Sequence, residues 1–462
     1  MHPTRWGDPA AVAPLPESTR GLVELAFGIH ESPAVEQVTL PPAGLPGAVL
    51  DDLRAALGDD HVRTDDETRR LRTRGKSTPD LLRARAGDLG DAPDAVVRPE
   101  SHDEVAAVLA LAVRHHVAVV PFGGGTSVTG GLVARREGYA GVLSLDLARM
   151  KGIREVDPVS MTAVLEPGLR GPEAEALLAE HGMTLGHYPQ SFEYASIGGF
   201  AATRSSGQSS AGYGRFDSLV VGLTVATPAG TLELGSAPAT AAGPDLRQLV
   251  LGSEGAFGVI TAVRVRVRAL PAEKVYDAWH FPSFAAGAAA MRTLAQSGLL
   301  PTVVRLSDEN ETALNLASQS EIGGESAGGC LMVVGHEGAA VAAKRAAVGS
   351  ALAGLGGTDL GEERGRAWEA GRFHAPYLRD ALLDVGVLVE TLETATFWSH
   401  LDRVYAAVRD ALTGALGEKA WCSATSPTST RPAARCTSPS PPPRPRTPSR
   451  SGSRPRRPPA TR

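Results

Sequence analysis

Between Val117 and Ser127 the chain reads Val-Ala-Val-Val-Pro-Phe-Gly-Gly-Gly-Thr-Ser. A short run of β-branched and small apolar residues predicts a buried strand, and the three glycines end it abruptly. Without Cβ atoms, glycine amides can close on an anion, and Thr126 and Ser127 add hydroxyl donors. The segment lacks the Lys of a GxxxxGK[ST] loop and the spacing of a GxGxxG fingerprint, so neither of those phosphate-binding folds is predicted. A strand that opens into a phosphate cradle is the constraint the rest of the chain must satisfy.

Two later segments have the same character. Residues 193–207 read Glu-Tyr-Ala-Ser-Ile-Gly-Gly-Phe-Ala-Ala-Thr-Arg-Ser-Ser-Gly, and residues 252–260 read Gly-Ser-Glu-Gly-Ala-Phe-Gly-Val-Ile. A structural turn explains any one of them, but three in fixed order suit a flat polar ligand better. Around them the pattern alternates strands and helices. Ala95–Val97 predicts a strand. Ser101, with Glu104 three residues on, caps a helix with apolar spacing at Val105, Val108, Leu109 and Leu111. Helix Gly171–His181 follows the strand Met161–Glu166, and Pro228-Ala229-Gly230 predicts a hairpin between Val220–Ala226 and Leu232–Leu234. Val263, Val265 and Val267 alternate with Arg264, Arg266 and Arg268, which predicts a half-exposed strand with a solvated cationic face. Beyond Lys274, helices over 283–296, 339–355 and 397–412 and strands over 332–334 and 386–390 predict a second α+β unit.

Composition limits the function classes. The chain has 462 residues, a net charge of −5 and 42% hydrophobic residues, as expected of a multidomain globular protein. Three cysteines, Cys330, Cys422 and Cys436, are too few for a disulfide scaffold or a zinc site, and no metal is expected. Neither a signal peptide nor an apolar run of spanning length is evident, so a cytoplasmic setting is expected. Residues 423–462 contain nine Arg, eleven Pro and no acidic residue, which leaves −14 on the preceding body. That acidic body argues against nucleic-acid binding. The tail also lacks Val, Ile, Leu, Met and every aromatic residue. It should be disordered, and its Pro, Arg, Ser and Thr are what a high-GC gene yields when read out of frame. The run Arg69–Lys76 is basic, and either faces an anion or is a solvated linker.

Three segments resemble the vanillyl-alcohol-oxidase (PCMH) type of FAD-binding domain: Pro121–Ser127, Ser196–Gly199 and Gly252–Gly255. Within it, Thr184–Glu193, Ala202–Gly207, Val304–Asp308 and Tyr377–Asp380 resemble the alkylglycerone-phosphate synthase branch. The resemblance implies an α+β fold, with an FAD-binding domain over 93–272 and a substrate or cap domain over 273–422. A mostly helical region over 1–92 precedes them. It implies FAD, held noncovalently, with its pyrophosphate on the loop of Phe122, Gly123, Gly124, Gly125, Thr126 and Ser127, and with Pro121 also cofactor-binding. Pro189, Ser191, Ser196, Ile197, Gly198, Gly199, Thr203, Arg204, Ser205 and Gly207 would line the flavin or its adenosine end, with Glu254, Gly255, Gly258, Val259 and Ile260. The implied reaction exchanges the acyl group of an acyl-dihydroxyacetone phosphate for a long-chain alcohol, without net redox change.

A phosphate-bearing substrate calls for Arg. Arg379 and Arg305 are the candidates, unless they pair with Asp380 or Asp308. His187 is a candidate for hydrogen bonding to cofactor or substrate. The branch also implies a homodimer, and its lipid-like substrate implies peripheral membrane contact. The branch's catalytic Tyr and His-rich run fall beyond Cys422, where this chain has neither residue type, so the resemblance implies an incomplete substrate domain and impaired activity in this chain. Two alternatives stand beside the synthase: an FAD-linked dehydrogenase of a 2-hydroxy acid such as D-lactate or glycolate, and an inactive FAD-binding protein.

Overall fold

A computed structural model describes residues 1–8, 14–35, 38–317, 328–417, 421–428 and 431–439. The first sheet comprises β1 (Val62–Arg63), β2 (Ala95–Val97), β3 (Ala118–Phe122) and β4 (Val142–Asp146), in the order β1-β2-β4-β3. β2 and β3 both run parallel to β4. Parallel neighbours need a crossover, supplied between β2 and β3 by the helix His102–His115. Ser101 caps that helix through Oγ, which accepts from the Glu104 amide at 3.1 Å, while Glu104 Oε2 accepts from Glu100 N–H at 2.7 Å. Val105, Val108 and Leu109 pack its inner face into the core.

The second layer is built from β5 (Ile153–Asp157), β6 (Thr162–Leu165), β7 (Met183–Thr184), β8 (Val220–Thr227), β9 (Gly230–Leu234), β10 (Val259–Arg266) and β11 (Arg268–Ala269). Five of these form an antiparallel sheet in the order β5-β6-β10-β8-β9, and β7 pairs with β11. The alternation read in β10 is realised, with Val263 and Val265 fully buried. Burying each stabilises the fold by about 1.5–3 kcal/mol. Arg264 forks onto Glu155 at 2.8 and 2.9 Å across the exposed face. Arg268 departs from the expected solvated face: its guanidinium lies 3.7 Å from the ring centroid of Tyr213.

The third sheet comprises β12 (Glu273–Phe281), β13 (Val303–Ser307), β14 (Cys330–Gly338), β15 (Thr358–Gly361), β16 (Val387–Glu393), β17 (Trp421–Thr428) and β18 (Arg431–Pro439), ordered β15-β12-β14-β13-β17-β18-β16. One face packs on the helices Phe284–Gln296, Val341–Gly354 and Leu401–Leu416. The other approaches the FAD-binding half through the turn Ser210–Tyr213. There Gly212 N–H donates to Thr302 O at 3.1 Å, and a Cβ on Gly212 would meet Thr302 Cα at 2.6 Å. Tyr213 and Tyr276 hydroxyls both donate to the buried Glu337, at 3.0 and 2.6 Å, and the first of these bonds ties the two halves together.

β17 and β18 correct the expectation of disorder for residues 423–428 and 431–439. Sheet pairing runs through main-chain groups, which a Ser-, Thr- and Ala-rich segment carries as well as any other. The pairing of β17 with β18 loses register between Thr425 and Thr428, the stretch holding Pro427, which has no N–H to donate. The rest of the expected disordered tail, residues 429–430 and 440–462, lies outside the described residues.

Candidate FAD and substrate site

β3 delivers the loop Gly123–Ser127 at the edge of the first sheet. Among the described residues, no main-chain amide from Gly124 to Ser127 donates a hydrogen bond. Amides left without acceptors on a half-exposed loop are what an anionic group would satisfy. The glycines are required by close approach. A Cβ on Gly124 would land on the carbonyl oxygen of Tyr194, one on Gly123 on Ser196 Oγ, and one on Gly125 (φ +70°) at 2.7 Å from the Phe122 ring. Ala118, Val119 and Val120 of β3 are only half-buried, so an apolar strand borders the opening.

The three glycine segments read from the sequence converge here. Thr129 Oγ1 donates to Glu254 Oε2 at 2.5 Å, and a Cβ on Gly255 would touch Pro121 at 3.0 Å. Ser196 caps the helix Ile197–Ala202 by accepting from Gly199 N–H at 3.3 Å. Thr203 Oγ1 donates back to Gly199 O at 2.9 Å. Arg204, with φ +49°, ties the second segment to the third by donating to Leu251 O at 2.8 Å and Gln248 O at 3.0 Å. Pro189 O and Ser191 O accept from Phe192 and Tyr194 N–H, both at 3.0 Å, while Gly207 is pressed on Tyr188 N and donates its N–H to Ser210 Oγ at 2.9 Å.

Several expected contacts are corrected. The side chains of Ile197, Val259 and Ile260 point into hydrophobic clusters, and Gly198 is pressed on Pro167, so these four offer only main-chain atoms. Gly258 likewise packs on the hairpin strand at Ala226 O and Val225. His187 does not face the opening. It is 1% exposed, flanked by Phe200 and Phe216 at 5.0 and 5.1 Å, and paired through Nε2 with Ser205 Oγ at 3.0 Å. Burial lowers its pKa to about 3, so it is a neutral core residue that fixes the Ser205 turn.

Arg305 and Arg379 are engaged within the protein. Arg305 donates to Glu311 Oε1 at 2.6 Å rather than to Asp308. Asp308 instead caps the helix Glu309–Ala317, accepting from Glu311 N–H at 2.8 Å, and it also takes the Tyr405 hydroxyl at 3.0 Å and Ala424 N–H at 2.6 Å. Arg379 donates to Asp380 Oδ1 at 3.1 and 3.2 Å and to Lys76 O at 2.9 Å. The basic run is divided between structure and site. Arg69 and Arg74 are buried on internal acceptors. Arg72 lies 5.2 Å from the Phe122 ring centroid while donating to Asp146 at 2.9 Å. Lys76 N–H donates to Ser127 O at 2.6 Å, beside the glycine loop, and burial lowers its ammonium pKa to about 8. Lys76 ends the basic run read as a possible anion face, and Tyr194 lies in the second glycine segment, but the sequence singled out neither side chain. Among the described residues no group of His, Cys, Asp and Glu could hold a metal.

Family models match the chain twice: an FAD binding domain over residues 93–235 and the C-terminal domain of FAD linked oxidases over 270–422. The alkyldihydroxyacetonephosphate synthase of Trypanosoma brucei brucei is 34% identical over 421 residues, covering 85% of this chain and 68% of the relative. This chain belongs to that family. The synthase of Dictyostelium discoideum is also 34% identical, over 82% of this chain and 66% of its own length, so the chain spans about two thirds of these relatives. A solved alkyldihydroxyacetonephosphate synthase superposes with a TM-score of 0.85 at 29% identity, covering 95% of this chain and 91% of the other. p-Cresol methylhydroxylase, at 15% identity and a TM-score of 0.62, shares the fold. The unpaired amides and the glycine cradle fit FAD, and the chain is an FAD-dependent enzyme. Among its described residues no helix is long and apolar enough to cross a membrane.

Proposed function

We propose that this chain exchanges the acyl group of an acyl-dihydroxyacetone phosphate for a long-chain alcohol and yields an ether-lipid precursor. The likeness to alkyldihydroxyacetonephosphate synthases along nearly the whole fold carries this reading. In it, the amides of Gly124–Ser127 hold the FAD pyrophosphate without a covalent link. FAD supplies an electron-rich centre that no side chain offers. Arg379 uses three of its five N–H groups on Asp380 and Lys76, and the remaining two are its means of gripping a substrate phosphate. Arg305, held by Glu311, is the second cation of the substrate side. The reading extends to a cytoplasmic homodimer that meets its lipid-like substrate at a membrane surface.

A second reading is favoured by one observation. The mitochondrial D-lactate dehydrogenase [cytochrome] of Arabidopsis thaliana is 34% identical over 229 residues, 49% of this chain. Two anaerobic incubations separate the readings. With acyl-dihydroxyacetone phosphate and labelled fatty alcohol, label should enter the phosphorylated product while the flavin stays oxidised. Bleaching of the flavin by D-lactate or glycolate, with no label transferred, would replace the synthase by the dehydrogenase.

A further inference from the structure

The first seven residues form a closed loop built onto the site. His2 N–H donates to Gly7 O at 3.0 Å. Trp6 is 3% exposed and meets the Tyr194 ring edge-on, with centroids 5.8 Å apart, and Tyr194 is the residue whose carbonyl lies against Gly124. Lys76 Nζ donates to His2 O at 2.6 Å. Gly7 has φ +70°, and a Cβ there would meet the Tyr377 and Tyr194 hydroxyls at 2.7 and 2.9 Å.

This strap grips the helix Ala375–Asp384 at two points one turn apart. Arg5 forks onto Asp384 at 2.7 and 2.9 Å, and Trp6 N–H donates to Asp380 Oδ2. Asp380 is 3% exposed and gives its other oxygen, Oδ1, to Arg379. The carboxylate is therefore held between strap and guanidinium, and its orientation sets that of Arg379. The same Lys76 that the strap covers offers its carbonyl to Arg379 NH1.

We infer that the segment Met1–Gly7 is a positioning element that aims Arg379 at a phosphate monoester, acting through Asp380 and Lys76. The inference rests on the synthase reading, and it assigns Trp6 and Arg5 roles that no glycine loop can fill. Misaiming one charged hydrogen bond to phosphate costs about tenfold or more in affinity. The test uses the full chain loaded with FAD and tagged at its C-terminus, with dihydroxyacetone phosphate as the calorimetric probe. Trp6→Ala should weaken that binding about tenfold, with FAD content and circular dichroism unchanged. Trp6→Phe, which keeps a ring against Tyr194, should recover most of it. In turnover, KM for the phosphorylated substrate should rise more than kcat falls. Should Trp6→Ala fail to fold, Arg5→Ala loosens the strap from outside the core and should move affinity in the same direction.

Wild-type binding that neither variant alters overturns the strap and leaves the synthase reading standing. Loss of FAD with unchanged probe affinity also overturns it, because the strap would then serve the cofactor. No binding of dihydroxyacetone phosphate by the unaltered chain overturns the synthase reading and the strap together.

Discussion

The FAD-binding half and the far end of the cap sheet are built on opposite terms. In the first, each glycine of the phosphate loop is held against a particular atom, and β6, β8 and β10 of the antiparallel sheet bury Leu165, Val225, Val263 and Val265 completely. In the second, the helix Leu401–Leu416 turns Val404, Tyr405, Val408 and Leu412 toward β17, which answers with Cys422 and Ala424. A cavity of about 240 Å³ is left between them. Buried Ser423 and Thr425 add little apolar contact there. Main-chain pairing alone can place a strand in a sheet, but close packing needs side chains of matching volume. The chain thus has a cofactor half specified atom by atom and, at β17, a cap strand placed by main-chain pairing over a loosely filled cavity.

The sharpest way to break this contrast is Gly124→Ala. Its Cβ would land on the Tyr194 carbonyl, a backbone atom that cannot rotate away. The variant should lose bound flavin and about 3 kcal/mol of stability, the upper range for overpacking. Flavin absorbance and thermal melting read both, and full flavin content would show that the loop tolerates what the account says it cannot.

A smaller effect comes from pH. His187 is neutral in the fold, with its pKa lowered from 6.5 to about 3 by burial, whereas the unfolded chain takes up the proton. Its contribution is complete above pH 6.5 and is lost as pH falls toward 3, at about 1.4 kcal/mol per unit. Between pH 7 and 5 the loss from this residue is about 2 kcal/mol. His187→Gln should flatten the urea-unfolding profile over that interval by this amount, and parallel profiles would remove His187 from the acid-sensitive core.

The smallest effect should be a gain. Ala424→Leu places apolar volume in the cavity under the helix Leu401–Leu416 and should stabilise the cap by about 1 kcal/mol. A fall in the melting temperature would mean that the cap edge is already packed to its limit.

The same contrast explains what the sequence disclosed. Glycine spacing, the Ser101 cap and the Val-Arg alternation of β10 are local, so they were legible without a structure. The contacts that define the cationic end were not. Trp6 meets Asp380 across 374 positions and Arg379 meets Lys76 across 303, and nothing in either neighbourhood marks the other. Pairing with Asp308 was the alternative to a substrate role for Arg305, yet Asp-Glu-Asn-Glu at 308–311 is itself a helix-start pattern, and Asp308 follows that local demand. His187 looked functional from its place in a cofactor-facing segment, but only the packing of Phe200 and Phe216 reveals that it points inward. Composition misjudged residues 423–428 and 431–439, because low apolar content argues against a core and says nothing about pairing with a strand already present.

Under the proposed function, the three converging glycine segments hold one FAD per chain without a covalent bond. Purified protein should show the near-ultraviolet and blue absorbance of a flavin at one equivalent per chain. Acid precipitation should then release that flavin, with its adenosine diphosphate portion intact, into the supernatant. Protein that folds yet neither carries nor takes up flavin, or a flavin that stays with the precipitate, would contradict the account.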